Sequence, residues 1–272
     1  MDALLPIVVG LVSGLLSGLF GIGGAVVTTP AIRMLLGYPE LIAVGTPLAV
    51  IIPTAVAGAF VHVRRGSADV RTGALVALAG VLASVGGAAL TRVVGGSVVL
   101  IVTAVLIGYM AIDMLVLSAR GSRVAAQGAG VEEADPALAS DRGPVGDPRP
   151  GLGRVAAIGL VTGLYSGFLG LGGGFIVVPA LIRWLGFSVK RAIGTSLVAV
   201  ALLAVPGAIS HYVLGNIDLA LAGSLILGVV PGALAGARLV AVARERVLSA
   251  GFAVLLLVTG AALGLTEAGI LG

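Results

Sequence analysis

Cysteine is absent from this chain of 272 residues, and only two histidines occur in it. Disulfides and thiolate metal ligands are therefore excluded and no metal-binding cluster is indicated, so we expect neither a metal nor another cofactor. Charged residues are also scarce, at 10% of the chain, whereas 58% is hydrophobic and the mean hydropathy is +1.19. So little polar surface could not cover a soluble globule of this size, which indicates an integral membrane protein.

Long apolar runs supply the material for membrane spans. Residues 98–117 and 193–213 approach the roughly 20 apolar residues that a helix needs to cross hydrocarbon. Neither run alternates apolar and polar residues, so helices are favoured over barrel strands and we predict an all-α membrane protein. The net charge of +4 comes from basic residues in short loops, where membrane orientation explains them better than a nucleic-acid partner does.

The sequence contains two copies of one unit. A shift of 149 positions aligns GLVSGLLSGLFGIGG at residues 10–24 with GLVTGLYSGFLGLGG at residues 159–173, without a gap. The same shift pairs Pro30 with Pro179, Gly45 and Thr46 with Gly194 and Thr195, His62 with His211, and Asp69 with Asp218. Internal duplication of this kind is common among secondary transporters.

The composition divides the chain into a first membrane repeat at residues 1–118, a flexible linker at 119–153 and a second membrane repeat at 154–272. The linker collects charged residues among alanine, glycine and proline, which is typical of flexible aqueous segments. Each repeat is predicted to hold a glycine-broken helical hairpin, re-entrant or short, followed by three transmembrane helices. These helices are expected at residues 43–62, 72–90 and 97–117, and at 192–212, 221–240 and 247–265.

The distribution of basic residues predicts opposite orientations for the two repeats. The loop after the first full span holds Arg64, Arg65 and Arg71, whereas its counterpart at residues 214–219 has no basic residue. In the second repeat the basic residues lie in the loops on either side instead. Since positively charged loops face the cytoplasm, we expect inverted repeats, a cytoplasmic linker and both termini outside. The alternative is four simple spans per copy in parallel orientation.

Glycines interrupt the hairpin of each repeat, in GIGG at residues 21–24 and GLGGG at residues 170–174. About a dozen residues follow the first break before Gly37, a reach of roughly 20 Å that falls short of a hydrocarbon core about 30 Å thick. Irregular backbone at that depth must be buried in protein or line a cavity, and its free N–H groups suit an anion. The glycines predicted to bind substrate are Gly23, Gly24, Gly172, Gly173 and Gly174.

Glycine also recurs at a spacing of four residues before each break. Such small-residue stripes let membrane helices approach one another closely, and we expect packing rather than substrate binding from them. The stripes comprise Gly10, Gly14, Gly18 and Gly21 in the first copy, and Gly159, Gly163, Gly167 and Gly170 in the second.

Hydroxyl side chains near the glycine breaks and the following spans are further candidates. Thr46, Thr195 and Ser196 stand near the start of the first full span of each copy, where a hydroxyl can bind a small anion or cap the helix. Ser17 and Ser166 carry a similar ambiguity, because a serine in a membrane helix often bonds its own backbone.

The two histidines close equivalent spans beside polar loops. His62 and His211 are candidates for a proton or gating role, with a structural role at the membrane interface as the alternative. Asp69 and Asp218 follow in turns and are expected to cap the next helices. No Ser-His-Asp, Cys-His or paired-carboxylate arrangement emerges, so we do not expect an enzyme.

The duplicated motifs resemble those of the TauE/SafE sulfite exporter family of membrane permeases. GLLSGLFGIGGAVVTTPAI and GLYSGFLGLGGGFIVVPALI, followed by GT in AVGTPLAV and AIGTSLVAV, carry the resemblance. It implies a multi-pass inner-membrane protein that exports small sulfur-containing anions, such as sulfite or organosulfonates like sulfoacetate. The copies differ at Ala25 against Gly174 and at Pro47 against Ser196, so the two halves of the site are not chemically equivalent.

These observations converge on a secondary transporter that holds an anion at the glycine breaks and works by alternating access. Its expected partners are a small anionic substrate and the lipid bilayer, with a homodimer left open. The alternatives are a passive anion channel of the same fold, a permease for a different small organic anion, and a membrane-embedded dinucleotide-binding enzyme. A dinucleotide site would require an aqueous strand before the glycine loop, which the apolar context does not supply.

Overall fold

The computed structural model describes residues 4–94, 98–112, 114, 151–170 and 172–267, and these ranges are helical apart from short turns and breaks. The helices are α1 (Leu4–Phe20), α2 (Ala25–Pro30, continued by a π-helical turn at Ala31–Leu35), α3 (Glu40–Arg64), α4 (Val70–Val94), α5 (Val98–Ile112), α6 (Leu152–Leu169), α7 (Gly174–Leu185), α8 (Val189–Val213), α9 (Leu219–Val240) and α10 (Glu245–Glu267).

The helix bounds follow the sequence duplication. α3 and α8 each contain 25 residues. The first and last residues of α8 each lie 149 positions after those of α3, which is the shift that aligns the two repeats. The helices predicted at 43–62, 72–90, 192–212, 221–240 and 247–265 are confirmed, most of them longer by a few residues. Of the helix predicted at 97–117, residues 98–112 and 114 are described and helical. The predicted linker lies outside the described residues up to position 150, and α6 already begins at Leu152.

Equivalent turns connect α3 to α4 and α8 to α9. Gly66 and Gly215 end the preceding helices with positive φ angles of +66° and +73°, a conformation that costs glycine little. The next helices begin where the carboxylates of Asp69 and Asp218 each accept, at 2.9 Å, the N–H of the residue three positions on. The predicted capping role of both aspartates is therefore confirmed.

Within the described ranges, six helices are long and apolar enough to cross a membrane, namely α3, α4, α6, α8, α9 and α10. The remaining apolar helices are shorter, and α2 and α7 reach only about 16–18 Å at 1.5 Å per residue. Neither can cross a hydrocarbon core of about 30 Å alone. The broken hairpin predicted for each repeat is thus present, with α2 and α7 as its short arms.

The equivalent helices α3 and α8 pack on each other at the centre of the molecule and run antiparallel. Early in α3, a β-carbon on Gly45 would collide with the Asn216 carbonyl, beyond the end of α8. Late in α3, a β-carbon on Gly58 would lie 2.9 Å from Leu197, near the start of α8. The start of α3 therefore lies beside the end of α8, and the end of α3 lies beside the start of α8. The centre of this pair is apolar and includes the fully buried Ile51.

The outer helices pack across the repeats. α1 lies along α9, and α4 lies along α6, so each repeat contributes one helix to each pair. Added β-carbons on the stripe glycines of α1 would strike backbone carbonyls of α9, and those on α6 would strike carbonyls of α4. The pairs in contact are Gly10 with Leu225, Gly14 with Val229, Gly18 with Ala233, Gly159 with Val76, Gly163 with Gly80 and Gly167 with Ser84. The predicted packing role of these six glycines is confirmed.

Gly21 and Gly170 depart from that prediction. Both lie beyond the ends of α1 and α6, with φ angles of +73° and +67°, so they belong to the breaks and not to a helix face. Gly21 faces Ser196, and Gly170 faces the carbonyl of Val44. Their close packing is therefore against α8 and α3, and only glycine combines it with a left-handed backbone.

Candidate functional site

The two glycine breaks form one structure at the centre of the protein. In each break three glycines have positive φ angles: Gly21, Gly23 and Gly24 in the first repeat, and Gly170, Gly172 and Gly173 in the second. A β-carbon on Gly174, the first residue of α7, would lie 2.7 Å from the Gly21 carbonyl oxygen and from the Ile22 Cα. The loops predicted to bind substrate are therefore in backbone contact with each other.

The breaks meet at the middle of the two central helices. A β-carbon on Gly23 would lie 2.8 Å from Val200, and one on Gly172 would lie 2.7 Å from Ile51. Ile51 and Val200 each stand one residue before the midpoint of their 25-residue helix. If α3 and α8 span the bilayer, both breaks consequently lie near its middle, where irregular backbone must be enclosed by protein.

Unpaired backbone donors collect in the first break. α1 ends with the Gly21 N–H donating to the Ser17 carbonyl, and α2 begins with two N–H groups donating to the Gly24 carbonyl. Among the described residues, the intervening N–H groups of Gly23 and Gly24 have no hydrogen-bond partner. In the second break the N–H groups of Gly172 and Gly173 are likewise unpaired within the described chain. Pro30 has no N–H group, but α2 starts at Ala25, so the proline lies inside the helix and removes none of these donors.

Two serines of α1 with buried hydroxyls lie beside Gly24, Ser17 through its side chain and Ser13 through its backbone carbonyl. A β-carbon on Gly24 would lie 3.6 Å from the Ser17 Cβ and 3.7 Å from the Ser13 carbonyl oxygen. The hydroxyls of Ser13 and Ser17 are fully buried, and neither has a hydrogen-bond partner in the part of the chain that the structure describes. The Ser17 hydroxyl is therefore not bonded to its own backbone. Ser13 is not among the candidates predicted from the sequence, where its only signal is a spacing of one helical turn from Ser17.

The second repeat offers a similar but poorer set of hydroxyls. A β-carbon on Gly173 would lie 2.8 Å from the Thr162 Cγ2 and 3.5 Å from the Ser166 Cβ. The Ser166 hydroxyl is buried without a described partner, whereas the Thr162 hydroxyl donates to the Ile158 carbonyl. One serine with an unpaired hydroxyl therefore lies at this break, where two lie at the other.

Thr46 and Thr195 hold the two repeats together. The Thr46 hydroxyl accepts the Asp218 N–H at 3.1 Å, and the Thr195 hydroxyl accepts the Asp69 N–H at 2.9 Å. Their predicted capping role is wrong, because both lie a full turn or more inside helices that begin at Glu40 and Val189. Each hydroxyl instead fixes the turn that follows the central helix of the other repeat.

Ser196 orients the first break. Its hydroxyl lies 2.8 Å from the carbonyl oxygens of both Gly21 and Ile193, and it is fully buried. A serine hydroxyl carries one hydrogen, so this donor serves the protein backbone. Pro47 occupies the equivalent position in the first repeat and supplies no such donor. Ser196 therefore lies at the site without offering its hydrogen to a ligand.

Both histidines are buried within the central helices. His211 places Nε2 at 3.1 Å from the Gly167 carbonyl, which can only accept, and Nδ1 at 3.3 Å from the Asn216 amide nitrogen. His62 places Nδ1 at 2.9 Å from the Ser67 hydroxyl. His211 thus ties α8 to the last turn of α6, directly before the second break.

One ion pair reinforces one of the cross-repeat turns. The Arg191 guanidinium lies 2.9 Å from the Asp69 carboxylate, which also accepts the N–H and the hydroxyl of Thr72. Burial acts to raise the pKa of Asp69, but these donors and the charge of Arg191 outweigh it and lower the pKa below its usual value. The Asp69 carboxylate is therefore fully ionised at neutral pH.

Comparison with known proteins assigns the family. The model of the family described as "Sulfite exporter TauE/SafE" matches residues 6–263, which is nearly the whole chain. The chain belongs to the TauE/SafE family. Among its relatives, the probable membrane transporter protein YunE of Bacillus subtilis is 25% identical over 252 residues, covering 88% of this chain and 87% of YunE. A probable membrane transporter protein of Xylella fastidiosa is 28% identical over 220 residues, covering 80% and 77% of the two chains. No solved structure matches the chain.

Membership of the TauE/SafE family, together with the apolar helices, makes this protein a multi-pass membrane transporter and not an enzyme. Within the described residues of this TauE/SafE protein, no group of three histidine, cysteine or carboxylate side chains could hold a metal ion. The chemistry available at the breaks is hydrogen-bond donation from backbone and hydroxyl groups. Such a site can hydrogen-bond and orient an oxyanion.

Proposed function

We propose that this protein is a secondary transporter that exports a small sulfur-containing anion, sulfite or an organosulfonate such as sulfoacetate, by alternating access. The observation that carries the proposal is the meeting of two glycine breaks, rich in unpaired donors, at the midpoints of α3 and α8. A buried N–H or hydroxyl without a partner is costly, and a bound oxyanion would supply the missing acceptors.

An oxyanion fits these groups better than a cation or a neutral solute. The unpaired groups at the breaks can all donate a hydrogen: they are the N–H groups of Gly23, Gly24, Gly172 and Gly173 and the hydroxyls of Ser13, Ser17 and Ser166. Glycine allows a ligand oxygen to approach the main chain closely, and a hydrogen bond to a charged acceptor is about twice as strong as one between neutral groups. The name of the family favours sulfite or a sulfonate as that anion.

Anion binding by the purified protein tests the proposal. We expect saturable binding of sulfite and sulfoacetate, and weaker binding of sulfate, acetate and chloride. Gly24→Ala should weaken sulfite binding about tenfold, because the new methyl group would stand among the donors that the anion needs. Gly37→Ala is the matched control: Gly37 has a similar positive φ of +69°, but a β-carbon there meets nothing within 4 Å.

Equal binding of all five anions would remove the sulfur assignment, and equal effects of Gly24→Ala and Gly37→Ala would remove the first break from the site. Counterflow of labelled sulfite in proteoliposomes then separates a carrier from a channel. A carrier accelerates uptake when unlabelled sulfite is loaded inside, and a passive channel does not.

The same proposal includes an inverted orientation of the two repeats in the inner membrane, with the linker in the cytoplasm and both termini outside. The antiparallel course of α3 and α8 supports it, since equivalent helices that span a bilayer in opposite directions belong to inverted repeats. The basic residues Arg64 and Arg65, beside the α3–α4 turn, favour a cytoplasmic position for that turn.

Cysteine labelling tests this orientation, and the chain contains no cysteine of its own. Gly66 and Gly215 occupy equivalent exposed turns where a side chain would meet nothing within 4 Å. We expect a membrane-impermeant maleimide added to intact cells to label Gly215→Cys and to leave Gly66→Cys unlabelled until the cells are lysed. Labelling of both variants in intact cells would contradict the inversion.

A further inference from the structure

The unpaired hydroxyls beside the two glycine breaks are distributed unequally. In the first repeat Ser13, Ser17 and Thr29 all carry buried hydroxyls with no hydrogen-bond partner among the described residues. The equivalent positions in the second repeat, 149 residues later, hold Thr162, Ser166 and Val178. Ser166 alone among these three has a free hydroxyl, because Thr162 donates to its own helix and valine has none.

Packing does not explain this difference. The two breaks have nearly the same backbone, with positive φ angles at equivalent glycines, and both press on the midpoints of α3 and α8. A buried hydroxyl can satisfy itself by donating to the carbonyl four residues earlier, as Thr54 does to Val50 at 2.6 Å. Ser13 and Ser17 also lie in a helix, one turn apart on the same face, and do not do so, which leaves both hydrogens unpaired on the α1 face beside Gly24.

We propose that the two half-sites are unequal, and that the first one alone binds the SO₃-type head of the substrate. The first half-site consists of Gly23, Gly24, Ser13 and Ser17, and the second of Gly172, Gly173, Thr162 and Ser166. This inference rests on the proposed anion transport and adds which repeat holds the charge. Since anion affinity follows the number of donors, the second half-site receives the less polar side of the substrate.

The arrangement also defines the substrate class. Sulfite and an alkyl sulfonate share a pyramidal head with three oxygens, and the first half-site offers two hydroxyls and two N–H groups to it. A sulfonate with a short organic substituent would place that substituent toward Thr162 and Gly173. Sulfate has a fourth oxygen on the side where sulfite has a lone pair and a sulfonate has carbon, so it would put an oxygen against the donor-poor half-site.

Paired serine substitutions test the inequality. Ser13→Ala and Ser17→Ala should each weaken the binding of sulfite and of methanesulfonate about tenfold, because each removes a hydrogen bond to a charged group. Ser166→Ala, the matched change in the second repeat, should weaken both less than about threefold. A loss in Ser166→Ala equal to or larger than that in Ser17→Ala would overturn the inference. Absence of binding of any sulfur anion by the unaltered protein would instead overturn the proposed function.

Thiol protection provides a readout that does not depend on affinity changes in alanine variants. Ser17→Cys and Ser166→Cys each introduce the only thiol of the chain. Methanesulfonate does not react with maleimide. We expect it to slow labelling of Ser17→Cys by N-ethylmaleimide at least about fivefold more than labelling of Ser166→Cys, because its charged head lies against position 17 and only its methyl group lies on the side of position 166. Protection of Ser166→Cys equal to or greater than that of Ser17→Cys would contradict the proposal.

Discussion

Gly172→Ala is expected to abolish anion transport and to lower the free energy of unfolding by about 2–5 kcal/mol. Gly172 has a φ of +68°, where any side chain costs about 1–2 kcal/mol. Its β-carbon would also lie 2.7 Å from the Ile51 Cδ1 at the midpoint of α3, and overpacking of a tight core costs about 1–3 kcal/mol. Transport should suffer more than stability, since this loop is in backbone contact with the first break and its displacement would move the donors there.

Two further variants separate strain from collision. Gly186→Ala introduces the same left-handed strain, at a φ of +69°, where a β-carbon meets nothing within 4 Å. It should cost only about 1–2 kcal/mol and leave transport intact. Ile51→Val removes the Cδ1 atom that the new methyl group would strike, so the double variant Gly172→Ala/Ile51→Val should recover part of the lost stability. Thermal unfolding in detergent and flux in proteoliposomes measure these effects. Equal costs for Gly172→Ala and Gly186→Ala would contradict tight packing of the second break.

Much of this fold follows from local sequence patterns. Alignment of the sequence with itself at a shift of 149 positions revealed the two repeats, and the lengths of the apolar runs predicted the long helices to within a few residues. The spacing of four between glycines predicted close helix contacts, and the aspartates before α4 and α9 predicted their caps. Each of these features depends on neighbours in sequence or on one face of one helix, so a single chain is enough to reveal it.

The partners of these surfaces could not be predicted in the same way. Nothing in the sequence of α1 specifies that its glycines meet α9 of the other repeat. The sequence predicts Thr46 as a cap or an anion ligand, because its partner, the Asp218 N–H, lies 172 residues away. Ser13 gains its significance only from the fold, which places its backbone carbonyl beside Gly24 and leaves its hydroxyl unpaired. The chemistry of the candidate site is visible in the sequence as glycines and hydroxyls, whereas their convergence is a product of tertiary structure.

Asp69→Ala is expected to lower the free energy of unfolding by about 2 kcal/mol at neutral pH. The substitution removes the cap of α4, the bond to the Thr72 hydroxyl and the ion pair with Arg191 at 2.9 Å. The matched control is Asp218→Ala, because the Asp218 carboxylate caps α9 and forms no ion pair among the described residues. The control should cost about 1 kcal/mol. A cost no larger for Asp69→Ala would show that Arg191 contributes nothing to the junction between the repeats.

The contribution of Asp69 should also depend on pH with a defined sign. The donors around Asp69 lower its pKa in the folded protein below the unfolded value of about 3.9, so folding favours the charged form. This stabilisation is fully present above about pH 5 and declines as the pH falls through the unfolded pKa and then the lowered one, below which the carboxyl is protonated in both states. The difference in unfolding midpoint between the unaltered protein and Asp69→Asn should therefore be constant from pH 7 to pH 5 and narrow below pH 4. A difference that widened with acidification would mean that burial, and not Arg191 and Thr72, governs this carboxylate.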